Sequence, residues 1–271
     1  MRITINGQLS LTMLYEMLSD GIPGSVPIMQ NTDGLEMMIP ASYRDKYFEI
    51  CKKWEDMTML QLEHDQYQKL ILADVNNYIA VYNYKEVSKE EWDNLKKKNP
   101  HHLFKEVSGK YLYAPTKCKG RFEFTDLALH KNKSFLIIPK AIYHFFVKDE
   151  MPEKFLQANR NIFDYCGGVK AKGDWKFIQT CFSKGTRTDT VLQKIVRYYI
   201  SNKGCKIIKR NVVDAREIQL ESGKWMQTIM DKYENKPWLE YDINEEYYLE
   251  NIYKEIENVL KKKNEAQLSL F

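Results

Sequence analysis

One aspartate, Asp33, is at a position where an exposed carboxylate could bind a metal ion. Val26–Gln30 and Leu35–Ile39 are short apolar segments, and Asn31 to Gly34 between them have the composition of a tight turn. The pattern predicts a β-hairpin with Asp33 at its tip. Such a carboxylate suits Mg²⁺, which takes oxygen ligands and keeps several waters. Aspartate is also common in hairpin turns for conformational reasons alone, so both interpretations stay open.

Charge is unevenly distributed along the 271 residues. The segment Lys117–Arg210 holds 20 Lys and Arg residues against 8 Asp and Glu residues, a net charge of +12, whereas the whole chain carries +4. Aromatic residues, 13% of the chain, are interleaved with these cations. This composition is typical of a nucleic-acid-binding surface, although a solvated face of an ordinary protein has it too.

The scaffold for these groups is predicted from the chain length and the apolar spacing. The length suggests about two domains, and 44% hydrophobic with 29% charged residues excludes a disordered, collagen-like or coiled-coil chain. Apolar residues recur at helical spacing in 7–18 and 43–56, and strand-like segments follow at 60–62, 70–72 and 78–82. This order predicts an α+β fold with a small antiparallel sheet and helices on one face.

Later segments add an insertion, a hairpin and a helix. Residues 85–113 have the character of an inserted segment, in which Ser88 begins a capping box for a short helix. Residues 195–201 and 206–209 flank a turn and predict a second hairpin. Asn244 is the expected cap of a final amphipathic helix.

The cysteines and the apolar segments give an expectation for the cellular compartment of the protein. Five scattered cysteines without a CxxC pair predict a reducing cytoplasm rather than a disulfide framework. No apolar run approaches the ~18 residues needed to span a bilayer, and the first residues do not have the pattern of a signal peptide. We therefore expect a cytoplasmic protein with no membrane partner.

Several segments, in order along the chain, resemble the C-terminal part of phage-type family B DNA polymerases. Met29–Met37 resembles the third polymerase motif of that family, Asp-Thr-Asp-Ser at the tip of a palm-domain hairpin. Ile3–Leu9 resembles the helix after the nucleotide-holding motif, Asp74–Ala80 the palm strand with Lys-x-Tyr, and Lys117–Gly120 the Lys-x-Lys-Gly junction before the thumb. Further similar segments are His130–Phe135, Ile138–Ala141 and Arg197–Ser201.

The resemblance implies a domain order and an activity. Residues 1–116 would be a partial palm with an inserted segment at 85–113, and 117–260 a mixed, mainly helical thumb that binds DNA. Residues 261–271 would form a tail. The implied activity is DNA-directed DNA polymerase, a nucleotidyltransferase of DNA replication that uses primer–template DNA, dNTP and a two-metal Mg²⁺ site.

The resemblance also assigns roles to single residues. Asp33 matches the essential metal ligand of the motif and would be the catalytic carboxylate. Asn31 replaces the first carboxylate of the motif, and with Thr32 and Gly34 it would shape the turn. Asn76 stands where the family has the lysine of Lys-x-Tyr. DNA contacts are implied at Asn76, Tyr78, Lys117, Lys119, Arg121, Lys131, Lys133, Lys140, Lys170, Lys172 and Lys176.

The matching region leaves out half of the family's active site. A second metal-binding aspartate and a lysine that meets the triphosphate belong to earlier segments of the family, and one carboxylate cannot fix two ions ~3.5–4 Å apart. We therefore expect the C-terminal half of a split polymerase, completed by an N-terminal polymerase fragment on a separate chain. The alternative is a non-catalytic, duplex-DNA-binding replication protein tethered to a clamp. A nuclease is a further alternative, suggested by the pair Glu234-x-Lys236.

The last five residues, Gln267 to Phe271, resemble the bacterial sliding-clamp-binding pentapeptide Gln-Leu-x-Leu-Phe. Leu268, Leu270 and Phe271 would fill an apolar groove of the clamp, with Gln267 at its rim. Tethering of this kind raises the effective concentration of a protein at its site of action. The alternative is that these side chains fold back onto the core.

Overall fold

A computed structural model describes residues 2–125, 134–229 and 236–268, with side chains from residue 5 to residue 261. Helices make up 38% and antiparallel sheets 33% of the structure, so the predicted α+β class is confirmed. The chain divides into two compact units, Met1–Thr116 and Lys117–Phe271.

The first unit consists of three helices and several short strands. Its elements are α1 (Arg2–Gly21), β1 (Val26–Gln30), β2 (Leu35–Met38), α2 (Arg44–Thr58), β3 (Tyr67–Asp74), β4 (Asn77–Tyr82), β5 (Lys85–Val87), α3 (Lys89–Lys98), β6 (Leu103–Val107), β7 (Lys110–Ala114) and β8 (Thr116–Cys118), in which the unit ends. The expectation of one small sheet is wrong. The strands form three antiparallel sheets, ordered β1-β2, β3-β4-β8 and β5-β7-β6, because the 85–114 segment pairs within itself.

A buried cluster holds α1 and α2 together. Leu14, Leu18 and Ile22 pack against Ile50, Cys51 and Trp54, with side chains of β2 at the margin. The Trp54 indole Nε1 donates a hydrogen bond of 2.7 Å to the Ser10 carbonyl, which fixes one helix on the other. Burial of these side chains is the main source of stability for the unit, and it anchors the base of the β1–β2 hairpin.

The described residues of the second unit form a large sheet and three helices. Its elements are α4 (Ile137–Lys148), α5 (Pro152–Ala158), β9 (Gly167–Lys170), β10 (Trp175–Ser183), β11 (Thr186–Val191), β12 (Ile195–Ser201), β13 (Cys205–Asn211), β14 (Glu217–Gln219), β15 (Trp225–Thr228) and α6 (Glu245–Leu268). The seven strands form one sheet, ordered β11-β10-β13-β15-β12-β9, with β14 beside β13. A mainly helical second unit was expected, but residues 175–191 are rich in β-branched and aromatic residues and form the long β10–β11 hairpin.

The predicted pairing of residues 195–201 with 206–209 is wrong. Both segments are strands, but β15 lies between them, since Met226 pairs with Ile200 on one side and with Cys205 on the other. Gly204 makes this insertion possible: a Cβ atom there would lie 2.7 Å from the Met226 carbonyl oxygen, and its φ is +149°.

The expectation that the cysteines form no disulfide also fails. Cys181 and Cys205 are directly opposite on β10 and β13 and are joined by a disulfide bond. Their proximity follows from the strand register, which cysteine spacing alone does not reveal. The caps predicted at Ser88 and Asn244 are confirmed: the Glu91 N–H donates to Ser88 Oγ, and the Tyr247 N–H donates to Asn244 Oδ1.

Candidate metal and nucleic-acid sites

Asp33 lies at the tip of the β1–β2 hairpin, with its side chain exposed. Asn31 braces the turn in two ways. Its N–H donates to the Gly34 carbonyl at 3.0 Å, and its side-chain Oδ1 accepts from the Asp33 N–H at 3.1 Å. A Cβ atom on Gly34 would lie 3.3 Å from the same oxygen, so a small residue suits this position. Thr32 is exposed beside it. The turn therefore holds the carboxylate outward through its own hydrogen bonds.

Two tyrosines, Tyr47 and Tyr67, lie near Glu36 of β2 at the base of the hairpin. The negative charge of Glu36 on β2 acts on Tyr47 of α2 and Tyr67 of β3. Burial, and next the neighbouring Cys51, raise the pKa of Tyr47, and the Tyr47 hydroxyl forms a 2.8 Å hydrogen bond with His64 Nδ1. Burial likewise raises the pKa of Tyr67. These phenols stay neutral near pH 7, and the Tyr67 hydroxyl donates a 3.3 Å hydrogen bond to Asp65 Oδ2.

Asp33 has no cluster of metal-ligating neighbours in the described ranges. Across residues 2–125, 134–229 and 236–268, no group of three or more His, Cys, Asp and Glu side chains is arranged to hold a metal ion. A single carboxylate still fits Mg²⁺ in one respect, because that ion is often bound by one or two carboxylates together with waters and substrate phosphates. The described residues therefore do not form a complete metal site at Asp33.

The segment that resembles Lys-x-Tyr forms the turn between β3 and β4. Asp74 Oδ1 accepts hydrogen bonds from the Asn76 N–H at 2.9 Å and from the Asn77 side-chain amide at 2.8 Å. Asn76 is exposed, whereas Tyr78 is half-buried on β4 opposite Leu72. Asn76 is therefore accessible to a ligand, while part of the Tyr78 side chain is buried.

The Lys-x-Lys-Gly segment begins the second unit. Lys117 is half-buried and Lys119 is exposed. Arg121 forms a 3.0 Å ion pair with Glu255 of α6, so its charge is already partly compensated within the unit. Residues 120–123 and 134–136 line one cavity of about 560 Å³ beside α4 and α6. The structure thus brings together two segments that the sequence analysis matched separately.

The remaining predicted DNA contacts differ in their surroundings. Lys140 is bound to Asp164, a buried carboxylate, with 2.8 Å to each oxygen, which gives this lysine a structural partner. Lys170 and Lys172 are exposed, and Lys176 is half-buried on β10 opposite Arg210. Outside the described residues lie Lys131, Lys133, Glu234, Leu270 and Phe271. Gln267 and Leu268 lie within the last turn of α6, and their side chains are not among those described.

Cation–aromatic groups on the seven-stranded sheet were not singled out by sequence reasoning. Two cations lie over the Trp175 ring: Lys209 Nζ is 4.7 Å from the ring centroid, and Arg216 Cζ is 5.1 Å from it. Lys206 lies over both Phe182 and Trp225. The excess of aromatic and basic residues was the only signal, and it does not reveal which side chains meet.

Comparison of this chain with known proteins found no relative. No family model matches it, and neither a curated protein nor a solved structure matches it significantly. In the described part of the chain, no helix combines the length and the apolar character that a membrane crossing requires.

Proposed function

We propose that this chain takes part in DNA-templated DNA synthesis as the C-terminal half of a split, family B-like polymerase. The observation that carries the proposal is the exposed Asp33 carboxylate on a hairpin whose turn is braced by Asn31 and whose base is anchored on the α1–α2 core. The ordered resemblance of the surrounding segments to palm and thumb motifs supports the same function. Here residues 1–116 act as the partial palm and residues 117–260 as the thumb.

Asp33 acts as one ligand of Mg²⁺, and a partner polypeptide supplies the second carboxylate. Mg²⁺ held by Asp33 and the partner's carboxylate would supply charge neutralisation and Lewis-acid activation for phosphoryl transfer. The residues of this chain position the carboxylate: the Asn31 side chain fixes the turn, and the strands behind it hold it rigid. A preorganised carboxylate costs little reorganisation when substrate arrives.

The basic second unit binds primer–template duplex through phosphate contacts. The exposed Lys119, Lys170 and Lys172 contribute charge without reading sequence. The chain should therefore bind duplex DNA with an affinity that falls steeply between about 50 and 200 mM salt.

The C-terminal pentapeptide would tether this assembly to a bacterial sliding clamp, and a clamp-binding assay with and without residues 267–271 tests that part separately.

Reconstitution of primer extension tests the proposal. The full chain is mixed with a polypeptide that carries the upstream palm and fingers segments, primer–template DNA, dNTP and Mg²⁺. Extension should require both chains. Asp33→Asn should lower it by at least about 100-fold because the metal loses a charged ligand. Asp20→Asn, which changes another exposed carboxylate, in α1, is the matched control and should leave the rate unchanged.

Two results would reject the catalytic proposal. One is extension that proceeds at full rate with Asp33→Asn, and the other is extension by the upstream chain alone. If duplex binding persists but no combination of chains extends a primer, the non-catalytic, clamp-tethered DNA-binding protein becomes the better description.

A further inference from the structure

Two aromatic side chains are exposed at one end of the seven-stranded sheet. Phe182 on β10 is 51% exposed and Trp225 on β15 is 36% exposed. Their ring centroids lie 6.5 Å apart, nearly perpendicular. The ammonium of Lys206 on β13 lies 5.8 Å from the Phe182 centroid and 5.5 Å from the Trp225 centroid. We call these three residues the aromatic platform.

The aromatic platform is rigid. The disulfide joins Cys181 to Cys205, and these are the residues next to Phe182 and Lys206 in the chain. Strand pairing also holds the neighbouring backbone, with Thr180 opposite Lys206, Phe182 opposite Arg187 and Met226 opposite Cys205. Groups held in place in this way lose little conformational entropy when a ligand binds.

The charge around the platform favours an anionic ligand. Lys184 in the β10–β11 turn is two residues from Phe182 in the chain, and Lys203 in the loop before β13 is three residues from Lys206; both lysines are exposed. Nearby carboxylates are already engaged. Asp189 accepts hydrogen bonds from Arg187, Thr180 and Arg210, and the Arg187 and Thr180 bonds hold its pKa below the usual range. Asp242 accepts from the Lys203 N–H at 3.2 Å.

We propose that the aromatic platform binds single-stranded nucleic acid. Unpaired bases stack on Phe182 and Trp225, while phosphates lie near Lys184, Lys203 and Lys206. Base stacking on aromatic side chains combined with a basic surface is the usual way in which single strands are bound. A duplex fits less well because its base faces are covered by neighbouring bases. This activity is independent of Asp33 and of duplex binding.

Fluorescence anisotropy with a labelled oligothymidylate tests the proposal, using the full chain and a duplex of equal length for comparison. Phe182→Ala and Trp225→Ala should each weaken oligothymidylate binding by at least about fivefold, the low end for loss of one stacked base. Duplex affinity should stay within about twofold, because phosphate contacts dominate it. Trp225→Phe keeps an aromatic face and should retain most of the affinity.

Two further variants separate stacking from other effects. Phe182→Leu keeps an apolar side chain and should still lose affinity. Val191→Ala removes another exposed apolar side chain of the same sheet, 63% exposed on β11, and should change nothing. The proposal is overturned if the wild-type chain does not bind oligothymidylate, if single-strand and duplex affinities fall together, if Phe182→Leu binds like wild type, or if polyglutamate displaces the oligonucleotide as well as unlabelled oligothymidylate does.

Discussion

Replacement of Lys140 by methionine separates a structural role from a DNA-binding role. Both carboxylate oxygens of Asp164 lie 2.8 Å from Lys140 Nζ, and the Asn159 side-chain amide donates to one of them at 2.9 Å. The Asp164 side chain is 6% exposed and that of Lys140 is 26% exposed. Lys140→Met therefore leaves a buried carboxylate without its cation.

Lys140→Met should lower the free energy of unfolding by about 3 kcal/mol. Breaking a buried ion pair by removing one partner costs about 3–5 kcal/mol, and the low end applies because water reaches part of Lys140. For a unit of this size the melting temperature should fall by about 6–12 °C. Asp164→Asn in the Lys140→Met background removes the unpaired buried charge and should restore part of the lost stability.

Thermal unfolding followed by circular dichroism measures this effect, and duplex binding is measured on the same samples below the transition. Lys170→Met, a change at an exposed lysine, is the control and should alter stability by no more than about 0.5 kcal/mol. The reasoning is refuted if Lys140→Met melts like wild type but binds duplex several-fold more weakly, since Lys140 would then act on DNA rather than on Asp164.

Two further predictions concern stability. Trp54→Ala should destabilise the first unit by about 3–5 kcal/mol in urea unfolding, because a side chain 2% exposed leaves a cavity, whereas Trp54→Phe should cost less. Burial lowers the pKa of His144, although its 2.7 Å contact with Glu150 opposes this. The unfolded chain therefore binds the proton first, so stability present above about pH 6.5 should fall below that pH. In His144→Gln this part of the fall should be absent, and an unchanged pH profile would contradict the assignment.

Local chemistry made much of the first unit predictable. Turn residues 31–34 between apolar segments predicted the β1–β2 hairpin, and its strands lie where expected. The spacing of Tyr47, Ile50 and Trp54 predicted α2. Ser88 and Asn244 predicted caps because a cap depends on residues close in the chain. These signals act over a few residues, so the sequence displays them directly.

Long-range pairing was not predictable in the same way. Insertion of β15 between β12 and β13 depends on Met226, far along the chain from the Asn202–Gly204 loop that suggests a hairpin. The Cys181–Cys205 bond depends on the same register. The pairing of Lys140 with Asp164 likewise joins residues on different elements, whereas the family resemblance had placed Lys140 among the DNA contacts.

The arrangement of Asn31 and Asp33 bears on why one carboxylate of the motif is absent. An aspartate at position 31 could accept the same N–H hydrogen bond that Asn31 Oδ1 accepts from Asp33, but it would place a second negative charge two residues from the first. Two carboxylates so close repel each other unless a cation lies between them. Asparagine keeps the brace and removes the repulsion. Under the proposed function, this turn would keep its shape before the ligands of the partner chain arrive.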